Sequence, residues 1–204
     1  MRTALEPAAG LLLDNAAQDL LFRAARSATD FTGEPVSEAE LRAIYGLVKY
    51  GPTSLNQQPL RIIAVRSPQA RRRLLAHLNE RNRIKTERAP LTVILAADVD
   101  FHERLPEVFA HASGLREAMA PDRDGRVVQA RFNATLQIGY LIIAVRAAGL
   151  AAGPMIGYAA DALDQDFFPD GRLQSLLVMN IGRPLAKRHA RLPRLGFEDV
   201  VTAV

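Results

Sequence analysis

The chain has 204 residues, 49% of them apolar, and a formal net charge of +4 at pH 7. This length and composition fit a single domain, residues 1–204, with arms at its ends and a sizeable core. The chain contains no cysteine, which excludes disulfides, thiolate metal sites and cysteine nucleophiles. It has only four histidines, none in a ligand-like pair, so no metal site is expected.

The distribution of charged and apolar residues further limits the possible partners and the location of the protein. The basic residues are dispersed and no aromatic residues alternate with them, which disfavours nucleic acid as a partner. No apolar run is long enough to span a bilayer, and the N-terminus lacks the basic and apolar regions of a signal peptide. We therefore expect a cytoplasmic protein that does not bind membranes.

The N-terminal third is expected to contain two helices and a polar connection. Residues 1–12 are read as a loose segment, followed by a helix that ends near residues 26–27. Ser37 and Glu40 form the Ser-x-x-Glu pattern of a capping box, which predicts the start of an amphipathic helix. That helix leads into KYGPTSLNQQP, residues 49–59, where hydrogen-bonding side chains stand between two prolines. Because proline fixes φ and removes a donor, we predict that this segment holds a defined shape. A simple polar turn is the alternative for this stretch.

The middle of the chain alternates short apolar runs with charged segments. Residues 61–65 (RIIAV) predict a strand, and Ser67 followed by proline predicts the N-cap of the next helix. Residues 80–89 are charged and expected to be exposed, whereas residues 91–97 (LTVILAA) predict a strand buried on both faces. Residues 98–125 are interpreted as a variable, partly helical excursion, and such segments often face ligands.

The last third contains the longest predicted element. Residues 127–148 predict a helix that is apolar almost all round, which suits the centre of a domain or a subunit interface. A glycine-bracketed turn at 153–157, a short helix and a buried strand at 176–181 follow. The basic tail, residues 183–204, ends in a segment that could pair as an edge strand or extend onto a partner. Helices and strands do not alternate strictly, so we predict an α+β fold with one sheet covered by helices.

The missing motifs disfavour several enzyme classes, since there is no Gly-x-Gly-x-x-Gly, no P-loop and no Gly-x-Ser-x-Gly. Three separated polar patches remain: Arg26 to Thr29, residues 52–58, and residues 153–157 joined by Arg191. Arginine and hydroxyl groups suit phosphate oxygens, amides suit a heterocycle with mixed edges, and glycine lets backbone N–H groups approach a planar ring. None of these is an obvious general acid, base or nucleophile. An enzyme built on them would leave the chemistry to a cofactor.

Three stretches carry a family resemblance: ARSATDFTGEPVSEAEL, YGPTSLNQQPLRIIAV and AAGLAAGPMIGY. Their order and spacing, from about residue 23 to the C-terminus, resemble the FMN-dependent nitroreductase family. The segments KYGPTSLNQQP, FHERLPEVF and HARLPRLGFED are similar to its branch of malonic semialdehyde reductases of pyrimidine catabolism. The resemblance implies a central mixed sheet flanked by helices and an intertwined homodimer. FMN would lie in a cleft between subunits, and residues 183–204 would extend toward the partner.

The resemblance also implies roles for single residues. Arg26 and Ser27 would bind the phosphate together with Arg191, for which Arg194 is the alternative. The family motif that matches residues 52–56 comes from the other subunit, and the backbone N–H of Ile156 would bond flavin N5. No side chain is expected to be catalytic. The expected cofactor-binding residues are Arg26, Ser27, Thr29, Pro52, Thr53, Ser54, Asn56, Gln58, Gln137, Pro154, Met155, Ile156, Gly157 and Arg191.

The sequence departs from the family pattern at three of these positions. Thr29 stands where the family has a second arginine, so the phosphate clamp loses a charge. Thr53 stands where serine is common in the family. Ile156 stands where an acidic residue is common, so only the backbone of Ile156 can contact the flavin. Residues 101–109 are candidates to line the substrate side. Packing or surface roles are expected for His102 and His111. Asn133 and Gln137 are expected to be satisfied polar groups of the core, with a turn toward the flavin ring as the alternative for Gln137.

The resemblance implies an oxidoreductase with a ping-pong cycle. NADH or NADPH would deliver hydride to FMN, leave, and be replaced by an electron acceptor. For the branch, the acceptor would be malonic semialdehyde, reduced to 3-hydroxypropionate. Two alternatives stay open: a broad nitro- or quinone-reducing enzyme, and a protein that binds or stores FMN without turnover.

Overall fold

The computed structural model describes residues 11–185 and 190–204. Eight helices are found there: α1 (Asn15–Gln18, continued by a π-helical turn at Asp19–Arg23), α2 (Glu38–Val48), α3 (Pro68–His77), α4 (Glu80–Glu87), α5 (Leu105–Val108), α6 (Leu115–Met119), α7 (Arg123–Ala147) and α8 (Ala160–Phe167). The strands are β1 (Leu60–Val65), β2 (Leu91–Asp98), β3 (Ala151–Met155) and β4 (Leu173–Gly182). The 3₁₀ turns are Ser54–Asn56, Phe101–Arg104 and Phe197–Asp199.

The four strands form one sheet in the order β1-β2-β4-β3, and every neighbouring pair is antiparallel. The α+β prediction is confirmed, but the expected mixed sheet is wrong for the described strands. The segment between β1 and β2 holds two helices, and the chain re-enters the sheet beside the point where it left. The register shows this directly, because Val65 at the end of β1 faces Thr92 near the start of β2.

The core lies on both faces of β2, as the run LTVILAA predicts. Leu91, Val93 and Leu95 face α2 and α7, while Ile94 and Ala96 face α3 and α8. This alternation is the period of two expected of a strand. Each such Val, Leu or Ile contributes roughly 1.5–3 kcal/mol through its burial. β2 therefore anchors both helical layers.

Helix α7 positions most of the polar residues that matter below. Asp122 caps its N-terminus, and Gly149 follows its C-terminus with φ +73°, a conformation that glycine adopts readily at the end of a helix. One face of α7 is buried, but the opposite face exposes an apolar stripe with helical spacing. The stripe residues are Val128, Phe132, Leu136 and Tyr140.

One local prediction is confirmed in part and another is wrong. Residues 80–89 expose most of their charged side chains, as expected, but they form α4, which Asn79 caps and which buries Asn82 and Thr86. Residues 153–157 are not a plain turn, because Gly153 to Met155 pair with β4 as the end of β3. Pairing with a buried neighbour overrides the weak strand propensity of glycine and proline.

The segment 98–125 and the two ends of the chain test the remaining predictions about the fold. Residues 98–125 are partly helical, as predicted, and Arg126 fastens them through bonds to Val99 O at 3.1 Å, Met119 O at 2.8 Å and Ala120 O. Beyond residue 190 the chain forms only the turn Phe197–Asp199, with no strand within this subunit. Most of the loose segment 1–12, and residues 186–189 of the tail, lie outside the described residues. Within the described ranges no helix is long and apolar enough to cross a membrane.

Candidate functional site

Arg26 stands just beyond the helical turn that ends at Arg23 and bonds to the carbonyls left free there. Its Nη1 donates to Ala25 O at 2.9 Å and to Arg23 O at 3.3 Å. The tail reaches the same carbonyls, since Arg191 Nη2 donates to Phe22 O at 3.1 Å and to Ala25 O at 2.7 Å. Arg194 instead bonds the tail's own Leu192 and Pro193 carbonyls, at 3.0 Å each. Two arginines 165 positions apart thus share one helix end.

No acidic side chain within the described residues pairs with this cluster of arginines. Burial lowers the pKa of Arg191, and the nearby charges of Arg26, Arg194 and Arg146 lower it further. Arg146 itself has a pKa lowered by burial, and it donates to Leu21 O at 2.7 Å. None of the four forms an ion pair within residues 11–185 and 190–204, and the buried Arg26 Nε has no hydrogen-bond partner there. Such uncompensated positive charge favours an anion.

Residues 27–29 connect this cluster to β3. Ala28 N donates to Ala152 O at 3.0 Å. Opposite it, any Cβ on Gly153 would overlap the Ala28 carbonyl oxygen, so glycine permits this close approach. Ser27 is exposed, while the Thr29 hydroxyl donates to Asp30 Oδ2 at 3.0 Å. The structure therefore joins the first and third predicted patches, and Arg191 belongs to the first of them.

The end of β3 presents one backbone donor. Pro154 faces Met179 in the sheet, and Met155 is buried with its Sδ 3.9 Å from Asn180 Nδ2. Ile156 follows with its side chain 80% exposed. Its N–H makes no hydrogen bond within the described part of the chain. Gly157 is turned inward, and its carbonyl accepts from Asn79 N and Asn82 Nδ2, each at 3.1 Å.

The segment 52–58 holds an unusual backbone. Leu55, Asn56 and Gln58 have φ values of 51°, 51° and 45°, and they are the only non-glycine residues with positive φ in the described ranges. Each such residue costs on the order of 1–3 kcal/mol, and strained residues of this kind cluster at functional sites. The prediction of a defined shape is confirmed, and a simple polar turn does not describe the segment.

Amides from α7 hold this shape from beneath. Asn133 Oδ1 accepts from Ser54 N at 2.8 Å, and Asn133 Nδ2 donates to Gln57 Oε1 at 3.0 Å. Gln57 Nε2 in turn donates to Gln129 Oε1 at 2.8 Å. Gln57 and Asn133 are only 1% and 2% exposed, so these bonds lie away from water. The network is a rigid support that burial makes costly to break.

The predicted contact residues of the segment are ordered by the same support. Thr53 Oγ1 accepts from Gln58 N at 3.2 Å, and Asn56 Nδ2 donates to Val108 O at 2.8 Å. Pro52 and Ser54 are exposed. Gln137 is buried, and its Oε1 accepts from Leu60 N at 3.0 Å. In this subunit the oxygen of the Gln137 amide thus fixes the start of β1.

A single subunit does not bring all three patches together. The segment 52–58 is fastened at Asn133, whereas the arginine cluster meets α7 at Arg146, thirteen residues further along. At about 1.5 Å per residue these points lie roughly 20 Å apart along the helix. The first and third patches are one surface, and the second is another. A site made of all three needs a second copy.

A groove of about 920 Å³ opens beside the segment 52–58, between α2, β1 and residues 104–108. Its lining includes Gln58, Leu60 and Gln137 together with Arg104 and Val108. Phe101 is fully buried against Ala97, Ala130 and Ala134 and does not line this groove, whereas Arg104, Glu107 and Val108 of the same candidate segment do. His102 is buried and His111 is exposed above Phe109, so the predicted packing and surface roles are confirmed.

The sequence alone did not identify several residues of these surfaces. From the sequence, Arg146 is expected only to stabilise the last turn of α7 as a cation near a helix C-terminus. Gln57 was given no cofactor-binding role, although its neighbours Asn56 and Gln58 were. Asn82 lies in the charged stretch 80–89 that was expected to be exposed, and Asn79 directly precedes it. Asparagine is a preferred N-cap residue, so Asn79 itself was the one signal present.

Comparisons with known proteins agree on one family. The family model described as "Nitroreductase family" matches residues 22–183. A Streptomyces coelicolor protein provisionally named NADH dehydrogenase/NAD(P)H nitroreductase is 53% identical over 195 residues, covering 95% of this chain and 99% of that protein. A similarly named Stenotrophomonas maltophilia protein is 43% identical, covering 92% and 95%.

Solved structures show the same fold at low identity. A nitroreductase crystal structure from Bacillus subtilis superimposes with a TM-score of 0.80 at 20% identity, covering 93% of this chain and 99% of that one. A nitroreductase from Exiguobacterium sibiricum, solved in complex with FMN, gives a TM-score of 0.76 at 18% identity, covering 91% and 95%. The chain belongs to the nitroreductase family.

Proposed function

We propose that this protein is an FMN-dependent NAD(P)H oxidoreductase. The observation that carries the proposal is the cluster of Arg26, Arg146, Arg191 and Arg194, which has no counter-ion within the described residues and leaves Arg26 Nε unpartnered. A phosphate monoester would supply the missing negative charge and acceptors. The names of the relatives, which include NAD(P)H, support the choice of electron donor.

The residues of the chain would bind and orient the cofactor. Arg26 and Arg191, with Ser27, would hold the phosphate at the helix end. The exposed N–H of Ile156 would donate to the flavin N5, beside Pro154, Met155 and Gly157. Thr29 contributes no charge, and Asp30 already engages its hydroxyl. When bound, FMN supplies the hydride chemistry between NAD(P)H and an acceptor, so the protein contributes position and electrostatics.

The visible spectrum and a comparison of two flavins test this proposal. Purified protein should be yellow or become so with added FMN, and it should bind FMN more tightly than riboflavin, which lacks the phosphate. Arg26→Ala should weaken FMN binding by roughly 10–100-fold, the range for hydrogen bonds to charged groups, and leave riboflavin binding unchanged. Protein that stays colourless after addition of FMN would refute the proposal.

We propose malonic semialdehyde as the acceptor, with 3-hydroxypropionate as the product. The groove beside 52–58 is lined by Arg42, Lys49, Arg61, Arg66 and Arg104 against only Glu38 and Glu107. Arg42 and Arg104 pair with those two glutamates, and Arg61 pairs with Asp98. Lys49 and Arg66 therefore remain to attract the carboxylate of a small anionic aldehyde.

The second candidate is a broad nitro- or quinone-reducing enzyme, which the nitroreductase names of the relatives favour. Steady-state turnover with malonic semialdehyde, a neutral aldehyde and a nitroaromatic separates the two. The first candidate requires a preference for the anionic aldehyde that Arg66→Ala reduces through KM. Equal turnover of both aldehydes, with faster nitroaromatic reduction, would favour the second. NAD(P)H consumption with any acceptor argues against a storage protein.

We propose further that the active species is a homodimer. The segment 52–58 and the arginine cluster do not meet in one subunit, and α7 exposes the stripe Val128, Phe132, Leu136 and Tyr140. Pairing that stripe with a second copy would remove it from water and bring the segment 52–58 of one subunit toward the cofactor of the other. The exposed residues 192–204 are the candidate extension toward the partner.

A further inference from the structure

The turn after β3 is fixed from both of its sides. On the β3 side, Met155 faces Val178 in the sheet. On the far side, Tyr158 N donates to Ile156 O at 3.1 Å, and Ala159 N donates to His77 O at 2.9 Å. Leu78 and Tyr158 form an isolated antiparallel bridge. The two peptides 155–156 and 156–157 therefore lie between two fixed points: the sheet on one side and the connection from α3 to α4 on the other.

The Gly157 carbonyl, in the peptide that follows these two, receives the hydrogen bonds that fix the far side. It accepts from Asn79 N and from Asn82 Nδ2, each at 3.1 Å. Asn82 is buried, and its own backbone N–H donates to Asn79 Oδ1 at 2.9 Å, so the first turn of α4 fixes its position. Within the described residues Gly157 O is the one acceptor of the Asn82 amide. Loss of that donor would leave a carbonyl short of one bond.

Gly157 is required by the same contact. A Cβ there would overlap the side-chain nitrogens of both Asn79 and Asn82. The φ of Gly157 is not positive, so close approach rather than backbone conformation explains the glycine. The two asparagines and the glycine form one unit, in which the absence of a side chain lets the amide reach the carbonyl.

We propose that Asn82 is a positioning residue of the cofactor site. By holding Gly157 O, Asn82 fixes the peptide that follows Gly157, while the pairing of Met155 with Val178 fixes the chain before Ile156. The turn between these two points, which carries the unbonded Ile156 N–H, then keeps one conformation. The inference rests on the proposed function, because the cofactor atom that receives this N–H is flavin N5. Asn82 itself does not touch the cofactor.

Two variants remove the donor in different ways. Asn82→Ala deletes the amide. Asn82→Asp keeps its shape but replaces the donor by an acceptor, and its place in the first turn of α4 offsets part of the cost of burying the carboxylate. Ser67→Ala is the matched control, because it removes a comparable cap from α3, where Ala70 N donates to Ser67 Oγ at 3.1 Å, without touching residues 155–159.

The readouts are the dissociation constant of oxidised FMN and the midpoint potential of the bound flavin. An N–H aimed at N5 favours the oxidised ring, since N5 carries a proton after reduction. Both Asn82 variants should weaken binding of oxidised FMN about fivefold, the factor for one ordinary hydrogen bond. Binding of reduced FMN should change little. For a two-electron couple this fivefold change is an upward shift of about 20 mV.

The outcomes separate the inference from the function on which it rests. A raised potential in both Asn82 variants, with Ser67→Ala at the wild-type value, supports the positioning role. An unchanged potential in Asn82→Asp, or an equal shift in Ser67→Ala, overturns it while the flavoprotein assignment stands. Wild-type protein that fails to bind FMN overturns both.

Discussion

At the scale of single residues, His102 couples stability to pH. It is buried, its Nδ1 has no partner within the described residues, and burial lowers its pKa, with Arg126 adding to the effect. The folded protein thus favours the neutral form of His102, whereas the unfolded chain binds a proton below about pH 6.5. Stability from this group is therefore present above that pH and declines as pH falls, by at most about 1.4 kcal/mol per unit.

His102→Gln checks this sign. Denaturant unfolding between pH 7.5 and 5 should show a smaller loss of stability in the variant than in the wild type. His111→Gln is the matched control, because His111 is exposed and should leave the pH slope unchanged. Identical slopes in the wild type and His102→Gln would contradict the prediction.

Gly153 provides a second prediction at this scale. Gly153→Ala places a Cβ against the Ala28 carbonyl oxygen, so the bond between Ala28 N and Ala152 O must shift. We expect a loss of roughly 1–3 kcal/mol, as for other overpacked sites. Gly33→Ala is the control, since open space surrounds Gly33 and the expected change is within about 0.5 kcal/mol. Equal thermal stability of the two variants would refute the argument.

At the scale of elements, α7 supports the strained segment 52–58 through Asn133. Asn133→Leu would leave Ser54 N and Gln57 Oε1 without their bonds, and each buried unpaired group costs about 1–3 kcal/mol. We expect weaker FMN binding as well as lower stability, because Leu55, Asn56 and Gln58 could relax. Thr135→Ala, which removes an exposed hydroxyl bonded to Arg131 O on the same helix, is the comparison. Flavin affinity equal to wild type in Asn133→Leu would count against this role.

The elements were predictable where a local pattern decides them. The capping box of Ser37 and Glu40, the apolar run of β2 and the glycine after α7 are each visible in the local sequence. The strand at 151–155 did not, because its pairing with β4 outweighs the glycine and proline it contains. The arginine cluster depends on Arg26, Arg146 and Arg191, which only the folded chain brings together. Apart from the resemblance, nothing local marked them as a group.

At the scale of the whole molecule, the exposed stripe on α7 predicts the assembly. Phe132→Glu should convert a dimer into monomers and reduce FMN affinity, because a stable interface buries about 1,200–2,000 Å² and this residue lies in the middle of the stripe. Sedimentation and flavin titration measure both effects. Ile84→Glu, an exposed apolar residue on α4 outside the stripe, should stay dimeric. A monomeric Phe132→Glu with wild-type flavin affinity would disprove the shared site.

Hydrogen bonds from Arg191 to the carbonyls of Phe22 and Ala25 join the C-terminal segment to the first helix. Proteins emerge from the ribosome N-terminus first, at about 5–20 residues per second, and early segments begin to fold as they appear. The helix end near Arg26 therefore exists before its second arginine has been synthesised. At the proposed phosphate site, tight binding of the cofactor would therefore be a late event in synthesis, and a chain truncated before Arg191 is expected to bind FMN weakly.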